Sequence, residues 1–574
     1  MAKLRSQEWL AGDDEVSISH RVALRSVGLT VDPEDPRPVI GIADSSSDLN
    51  PCNLPLRALA DAVHAGVLAA GGVPLRFPTM SLGEDLMKPS AFLYRNLLAM
   101  EIEETLRSNP LDGVVVLANC DKTVPAVLMG VASANLPAIA VLGGARPVSI
   151  FRGQPVGTGT DLWRLWEDRR AGRLDESGWN ELEHCLSCGV GACNTMGTAS
   201  TMALLTEALG MALPGLSTAP AGSAQSLEGA HAAGARAVAL VEAGIKPSDV
   251  MTQAAFENSV KVLHAIGGST NAIIHLPAIA GRLGLRLTPK QMSDLGRTVP
   301  VLADVEPSGR FLIHDFHTAG GLPVLEREIA QHLNLETTGV SGRSVREIIS
   351  GAGSRGGAIL SADQAISADG SFTAVAGNLA PDGAVIKTSA ASPALFSHTG
   401  PALVFRGYED MRSRIDDPDL DVTADTVLVL TGCRPVGVPG MPEWGMIPIP
   451  AKLAASGIKD MVRVTDSRMS GTSFGTVFLH VAPEGAIGGP LDLVRDGDLI
   501  QVDIARERLD LLIDDEDLAA RASAWHRPKS PHLRGWPALY QTHVTQAPEG
   551  CDFDFLQAPT ADHLRFVEPV VGRS

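Results

Sequence analysis

The side chains best placed to do chemistry in this sequence are three cysteines in similar local settings. Cys52 lies in SDLNPCNLPLR, Cys120 in VVVLANCDKTVP and Cys193 in GVGACNTMGTAST. The first two follow short apolar strands, and the first and third precede predicted helical stretches. In open α/β sheets ligands collect where strands end and helices begin, and a helix N-terminus favours a thiolate. Three thiolates converging from remote stretches could hold an iron–sulfur cluster with one iron left open. Such an iron is a Lewis acid rather than an electron carrier. The plainer reading of each is a buried apolar thiol. Cys185 and Cys188 form the CxxC spacing of CLSC and rival Cys193 as ligands.

Oxygen ligands stand nearby. Asp121 and Lys122 follow Cys120 directly. A hard cation such as Mg²⁺ takes carboxylate oxygens, which makes Asp121 a candidate ligand. Glu84 in MSLGEDLMKP and Glu443 in VGVPGMPEWG are two more, because both stand in Gly/Pro-punctuated loops. Plain solvation is the competing reading of each acid. Ser470 lies in DSRMSGTSFGTVFLH, a Gly-rich turn between strand-like runs, where its hydroxyl could face a pocket or cap a backbone amide. No GxSxG elbow surrounds it, so acyl transfer is not indicated.

The elements that must position these residues read as α/β. Val39–Ala43, Gly113–Ala118 and Ala138–Leu142 are short buried strands. Leu54–Ala70, Thr195–Met211 and Ala230–Ala243 are helical, and residues 161–185 look like charged surface helices. This alternation predicts a largely parallel sheet with flanking helices. After about residue 357 the texture changes. GGAIL, AVIKT, ALVFRG, TVLVLTG, MVRVTD, TVFLHV and DLIQVDI are strand-like runs separated by Gly and Pro, which predicts a β-barrel-like or sandwich domain. The expected organisation is an N-terminal arm (1–36), an α/β domain carrying the cysteines, Glu84 and Asp121 (37–356), a β-barrel-like domain carrying Glu443 and Ser470 (357–515), and a helix/loop tail (516–574).

Composition bounds the partners. The chain has 574 residues, 45% hydrophobic and 20% charged, which excludes disorder. Its net charge of −19 comes without a basic run, so nucleic acid is not an expected partner. No apolar run is long enough for a membrane helix, and the N-terminal stretch lacks an apolar signal region, which predicts a cytosolic protein without a membrane partner. Seven thinly spread cysteines do not form a disulfide framework.

PCN at 51–53, NCDK at 119–122, GACNTMGTASTM at 191–202, IGGSTNAIIHLPAIAGR at 266–282, LAPDGAVIK at 379–387, PGMPE at 439–443 and DSRMSGTSFG at 466–475 occur in this order. With these motifs the chain resembles the family uniting dihydroxy-acid dehydratase, phosphogluconate dehydratase and the sugar-acid dehydratases. KLRSQEW, CNTMGTAST and HVTQAPEGCDFDFL resemble its pentonate branch, which acts on L-arabinonate or D-xylonate. Branched-chain members usually show TAN where this chain has Thr198-Ala199-Ser200.

The resemblance implies roles. Cys52, Cys120 and Cys193 match ligands of an iron–sulfur cluster, [2Fe–2S] by the family pattern with [4Fe–4S] in some relatives, and Cys185 and Cys188 fall outside that pattern. Glu84, Asp121 and Glu443 match Mg²⁺ ligands, Asp85 being the immediate competitor of Glu84. Lys122 matches a lysine that is carbamylated in relatives, and Ser470 a serine whose alkoxide acts as base. Arg468 and Thr472, flanking Ser470, are candidate substrate contacts or supports of the turn. The implied function is dehydration of a small sugar acid to the 2-keto-3-deoxy acid by a homodimer or homotetramer. The alternatives are a dihydroxy-acid dehydratase of branched-chain amino-acid synthesis, a phosphogluconate dehydratase with a basic phosphate clamp, and a non-enzymatic iron–sulfur redox carrier or sensor.

Overall fold

A four-stranded parallel sheet and a closed eight-stranded barrel organise the chain, as the sequence predicts. The computed structural model describes residues 4–557, apart from Ser187 and Arg434. The end of the expected tail, 558–574, lies outside the described residues.

The sheet runs β2-β1-β3-β4, formed by β1 (Val39–Asp44), β2 (Val73–Pro78), β3 (Gly113–Ala118) and β4 (Ala138–Leu142). All three pairings are parallel, with Ile42 opposite both Arg76 and Val115, and Val116 opposite Ala140. Strands β1, β3 and β4 are buried along their whole length, which is why they read as unbroken apolar runs. The helices Leu56–Ala69 and Ala224–Ala243 cross closely beside the sheet. Gly66 and Gly234 make that approach possible: a Cβ on Gly66 would stand 1.9 Å from the His231 carbonyl oxygen. A small hairpin, β5 (Ser149–Phe151) and β6 (Gln154–Val156), follows, and helices continue to Ser350.

The barrel strands are β7 (Thr373–Gly377), β8 (Ala380–Ile386), β9 (Ser397–Arg406), β10 (Val427–Thr431), β11 (Arg463–Thr465), β12 (Val477–Ala482), β13 (Leu499–Asp503) and β14 (Arg508–Leu511), in the order β10-β11-β12-β8-β7-β14-β13-β9. Closure leaves no open edge. The barrel interior is apolar, from Val375, Ile386, Val404, Val429, Phe478 and Ile500 among others. GGAIL is not one of its strands; Ile359 makes only an isolated bridge to Ala303. Its glycines interrupt the pleat before a ladder can form.

Barrel and sheet region share one core, since Val385, Val477 and Leu479 pack with the helices of the first region. His264 stacks on Phe372 with ring centroids 4.0 Å apart and accepts the Ser371 N–H on Nδ1. The segment after the barrel returns to the sheet region. There Arg95 donates to the Gly550 and Cys551 carbonyls, and Arg282 pairs with Asp552 at 2.6 Å with both side chains fully buried. Among the described residues no helix is long and apolar enough to cross a membrane.

Candidate active site

The three cysteines meet at the carboxyl ends of the strands. Cys52 lies in the turn between β1 and the helix Leu56–Ala69, and Cys120 just after β3. Cys193 follows Ala192, which bridges in parallel to Ala145 just beyond β4. Backbone and amide bonds stitch these loops together. Asn53 Oδ1 accepts the Cys120 N–H at 2.9 Å, and Asn119 Nδ2 donates to the Cys52 and Gly144 carbonyls at 2.7 and 2.8 Å. The Gly191 N–H reaches the Pro51 carbonyl, and Ser200 Oγ donates to the Cys193 carbonyl. All three cysteines line one cavity of about 670 Å³. Cys185 and Cys188 stand apart from it; the Cys188 thiol contacts Ser149 Oγ and the Pro147 carbonyl on the exposed surface.

The thiols press on one another. Contact with Cys52, then burial, pushes the Cys120 thiol well up, and burial followed by the nearby Cys52 raises Cys193. The Arg146 guanidinium opposes this, with Nη2 3.9 Å from Cys52 Sγ. Among the described residues the cavity wall holds three cysteines and no fourth. Crowded sulfurs that repel one another as thiolates suit a soft, multiply charged partner, and iron–sulfur chemistry matches this donor set.

Beside them stands a carboxylate cluster. Ligand oxygens of Glu84, Asp121 and Glu443 lie within 4.8 Å of one another, a spacing that fits a hard cation. Cys120 Sγ is 3.4 Å from Asp121 Oδ1, so the sulfur and oxygen groups adjoin. Asp85, the competitor of Glu84, faces the sulfur side instead, 3.9 Å from Cys52 Sγ. Lys122 is fully buried and its ammonium contacts Asp121, Glu84 at 3.5 Å and Glu443 at 3.4 Å. Burial opposes its charge, but Asp121 and Glu443 outweigh burial and hold its pKa above the usual lysine value.

Arg468 is also fully buried and is not among the residues lining the cavity. Its Nη1 donates to Glu443 at 2.6 Å, its Nη2 lies 3.5 Å from Glu84 and donates to Ser90 at 3.1 Å, and its Nε donates to the Met441 carbonyl. Asn271 Nδ2 adds a 2.8 Å bond to Glu443. Burial pushes the Glu443 carboxyl up, yet Lys122, Arg468 and Asn271 overcome it and hold the group at about 2. Glu84 goes the other way: burial and the neighbouring acids outweigh Lys122 and Arg468 and raise it. Met441, two residues before Glu443, sits at φ +42°. A non-glycine residue in that region is strained and persists only where its surroundings hold it, and the Arg468 bond to its carbonyl is one such hold.

Ser470 completes the wall. Its Oγ lies 2.9 Å from Thr472 Oγ1 and 3.4 Å from the Thr472 backbone nitrogen. Gly471 lets this turn press inward, since a Cβ there would stand 2.6 Å from Ser269 Oγ and the Thr198 nitrogen. Thr472 lines the cavity. Leu162, Trp163, Tyr408, Trp444, Met446 and Ile449 supply apolar surface to the same cavity. Sequence patterning does not single out Asn53, Asn119, Arg146 or Asn271. The first two adjoin their cysteines in PCN and NCDK, and Asn271 ends IGGSTN, which is the available signal.

Residues 37–348 match the dihydroxy-acid/6-phosphogluconate dehydratase N-terminal model and residues 357–551 the corresponding C-terminal model. The chain is 46% identical over 563 residues to the 6-deoxy-6-sulfo-D-gluconate dehydratase of Pseudomonas putida, with 97% of each chain covered. It is 45% identical over 558 residues to the L-arabinonate dehydratase of Rhizobium leguminosarum bv. trifolii, covering 97% of this chain and 96% of that one. Against the L-arabonate dehydratase of Azospirillum brasilense it is 44% identical over 564 residues, covering 96% and 97%. With both regions matched in order and these relatives aligned nearly end to end, the chain belongs to the dihydroxy-acid/6-phosphogluconate dehydratase family.

Proposed function

We propose that this protein dehydrates a sugar acid, an aldonate such as L-arabinonate or D-xylonate, to the 2-keto-3-deoxy acid. The observation that carries the reading is the convergence of three cysteines, a three-carboxylate cluster and Ser470 on one cavity. The relatives named for dehydration of L-arabinonate and of 6-deoxy-6-sulfo-D-gluconate support the substrate class. Cys52, Cys120 and Cys193 would hold an iron–sulfur cluster, [2Fe–2S] by the family resemblance. Glu84, Asp121 and Glu443 would hold Mg²⁺, joined by Lys122 if its amine is carbamylated. When bound, these groups supply Lewis acidity toward the substrate carboxylate, the C2 oxygen and the departing C3 hydroxyl.

The chain's own residues do the rest. Ser470 Oγ takes the C2 proton, the C2–H electron pair becomes the C2–C3 π bond, and hydroxide leaves C3. The enol then tautomerises to the 2-keto acid. Arg468 and Asn271 fix Glu443, so that its oxygens keep one orientation through turnover. The apolar surface of the cavity limits water around the reacting carbons. The homo-oligomeric state, which rests on the family resemblance, and the cytoplasmic location, which rests on the sequence's lack of an apolar membrane run or signal region, belong to the same proposal. Ser470→Ala tests the assignment. It abolishes turnover and leaves the visible absorbance of the bound cluster intact; full activity in that variant overturns the serine's role.

A further inference from the structure

The Ser470 turn is tied at its back to the helix Thr160–Arg170. Thr160 Oγ1 donates to the Thr472 carbonyl at 3.0 Å, and Trp163 Nε1 donates to Thr472 Oγ1 at 3.0 Å. Two glycines make the approach possible. A Cβ on Gly159, at φ +99°, would stand 2.7 Å from the Thr472 side chain, and one on Gly197 would stand 2.9 Å from it. An indole nitrogen only donates, so Thr472 Oγ1 must accept there. Its own proton remains free for Ser470 Oγ, 2.9 Å away.

We infer that Trp163 is a positioning residue for the proton transfer, acting through Thr472. This rests on Ser470 serving as the base. Once Ser470 has no proton to give, only one direction of the chain is open: Trp163 N–H to Thr472 oxygen, and Thr472 O–H to Ser470 oxygen. Donation by the indole also polarises the threonine hydroxyl and strengthens the second bond. The Thr472 N–H, 3.4 Å from the same oxygen, adds a second donor. Ser470 thus sits at the acceptor end of a short directed chain, with its lone pairs oriented before substrate arrives.

The experiment compares Trp163→Phe with site-specific replacement of Trp163 by benzothienylalanine, which keeps the bicyclic ring and removes the N–H. Both are assayed as loaded enzyme on the aldonate the wild type turns over, in protonated and C2-deuterated form. The expected result is a loss in kcat of about fivefold to tenfold, the worth of one neutral hydrogen bond. KM holds steady, and the isotope effect on kcat rises because proton transfer has become slower. Unchanged kcat in the benzothienyl variant overturns the inference, as does a loss confined to KM with an unchanged isotope effect. Ser470→Ala and wild type run alongside. Wild-type turnover that dies in Ser470→Ala but is untouched by the loss of the indole N–H sinks this inference alone. A wild type inactive on every aldonate sinks the functional reading and this inference with it, and a fully active Ser470→Ala sinks the serine's role and with it this inference.

Discussion

Asn53 and Asn119 each hold the other's cysteine. The Asn53 carboxamide oxygen accepts the Cys120 N–H at 2.9 Å, and Asn119 Nδ2 donates to the Cys52 carbonyl at 2.7 Å. Asn53 is fully buried and also donates to the Ser45 carbonyl and to Ser81. The pair fixes two loops that leave different strands, and so fixes the relative placement of two proposed cluster ligands. Asn119→Ala takes the amide donor from the buried Cys52 carbonyl, while the Gly144 carbonyl keeps the Ala192 N–H, a loss of about 1–3 kcal/mol. The expected outcome is a lower melting temperature and a lower iron content per chain after anaerobic reconstitution. Iron content equal to wild type contradicts the brace.

Asn271 stands behind Glu443 as Asn119 stands behind Cys52. If Glu443 binds Mg²⁺, removing its orienting partner weakens the site without removing a ligand. Asn271→Ala is expected to raise the Mg²⁺ concentration needed for half-maximal activity by roughly 10–100-fold, the usual cost of losing a ligand's outer hydrogen bond. Activity titrated with Mg²⁺ after chelation checks it, and an unshifted titration argues against the metal role of Glu443.

Away from the site, Glu326 is buried beside Glu207, and burial followed by that neighbour raises its carboxyl to about 8. The folded protein therefore keeps a proton that the unfolded chain gives up near its ordinary value of 4.5. Stability from this group is full below that value and is lost as pH rises toward the folded one, by roughly 1 kcal/mol per pH unit. Glu326→Gln, which cannot ionise, is expected to melt higher than wild type at pH 8, with the gap closing at acid pH. Parallel melting curves across that window refute it.

The crossing of Leu56–Ala69 and Ala224–Ala243 depends on Gly66, where an added methyl meets the His231 carbonyl at 1.9 Å. Backbone cannot step aside as a side-chain tip can. Gly66→Ala is expected to cost about 1–3 kcal/mol or more, read by denaturant unfolding; a stabilised variant contradicts the close approach.

How much of this was legible in the sequence follows from burial. Strands β3 and β4 carry the bounds expected of them because both faces are covered and every residue is apolar. Strand β2, VPLRFP, has prolines and Arg76, which pairs with Asp44 and Asp61, so its pattern does not announce a strand. The helix Arg95–Ser108 hides for the same reason, since Arg95, Asn96 and Glu103 are buried polar residues within it. In the site the chemistry-bearing side chains are legible from type and motif. Their supports are not. Asn53, Asn119 and Asn271 act through bonds spanning 67, 67 and 172 residues, and local pattern carries no trace of partners so distant. Arg468 illustrates the limit, because its neighbour Ser470 faces the cavity while its own guanidinium is buried behind Glu443.

The most direct test of the functional account is a comparison of kcat/KM for L-arabinonate, D-xylonate and 2,3-dihydroxyisovalerate on anaerobically reconstituted enzyme with Mg²⁺. The account predicts 2-keto-3-deoxy product from a pentonate at an efficiency far above that for the branched acid, since a site built to bind hydroxyls strongly rejects analogues that lack them. Preferred turnover of 2,3-dihydroxyisovalerate, or no keto acid from any pentonate, contradicts it.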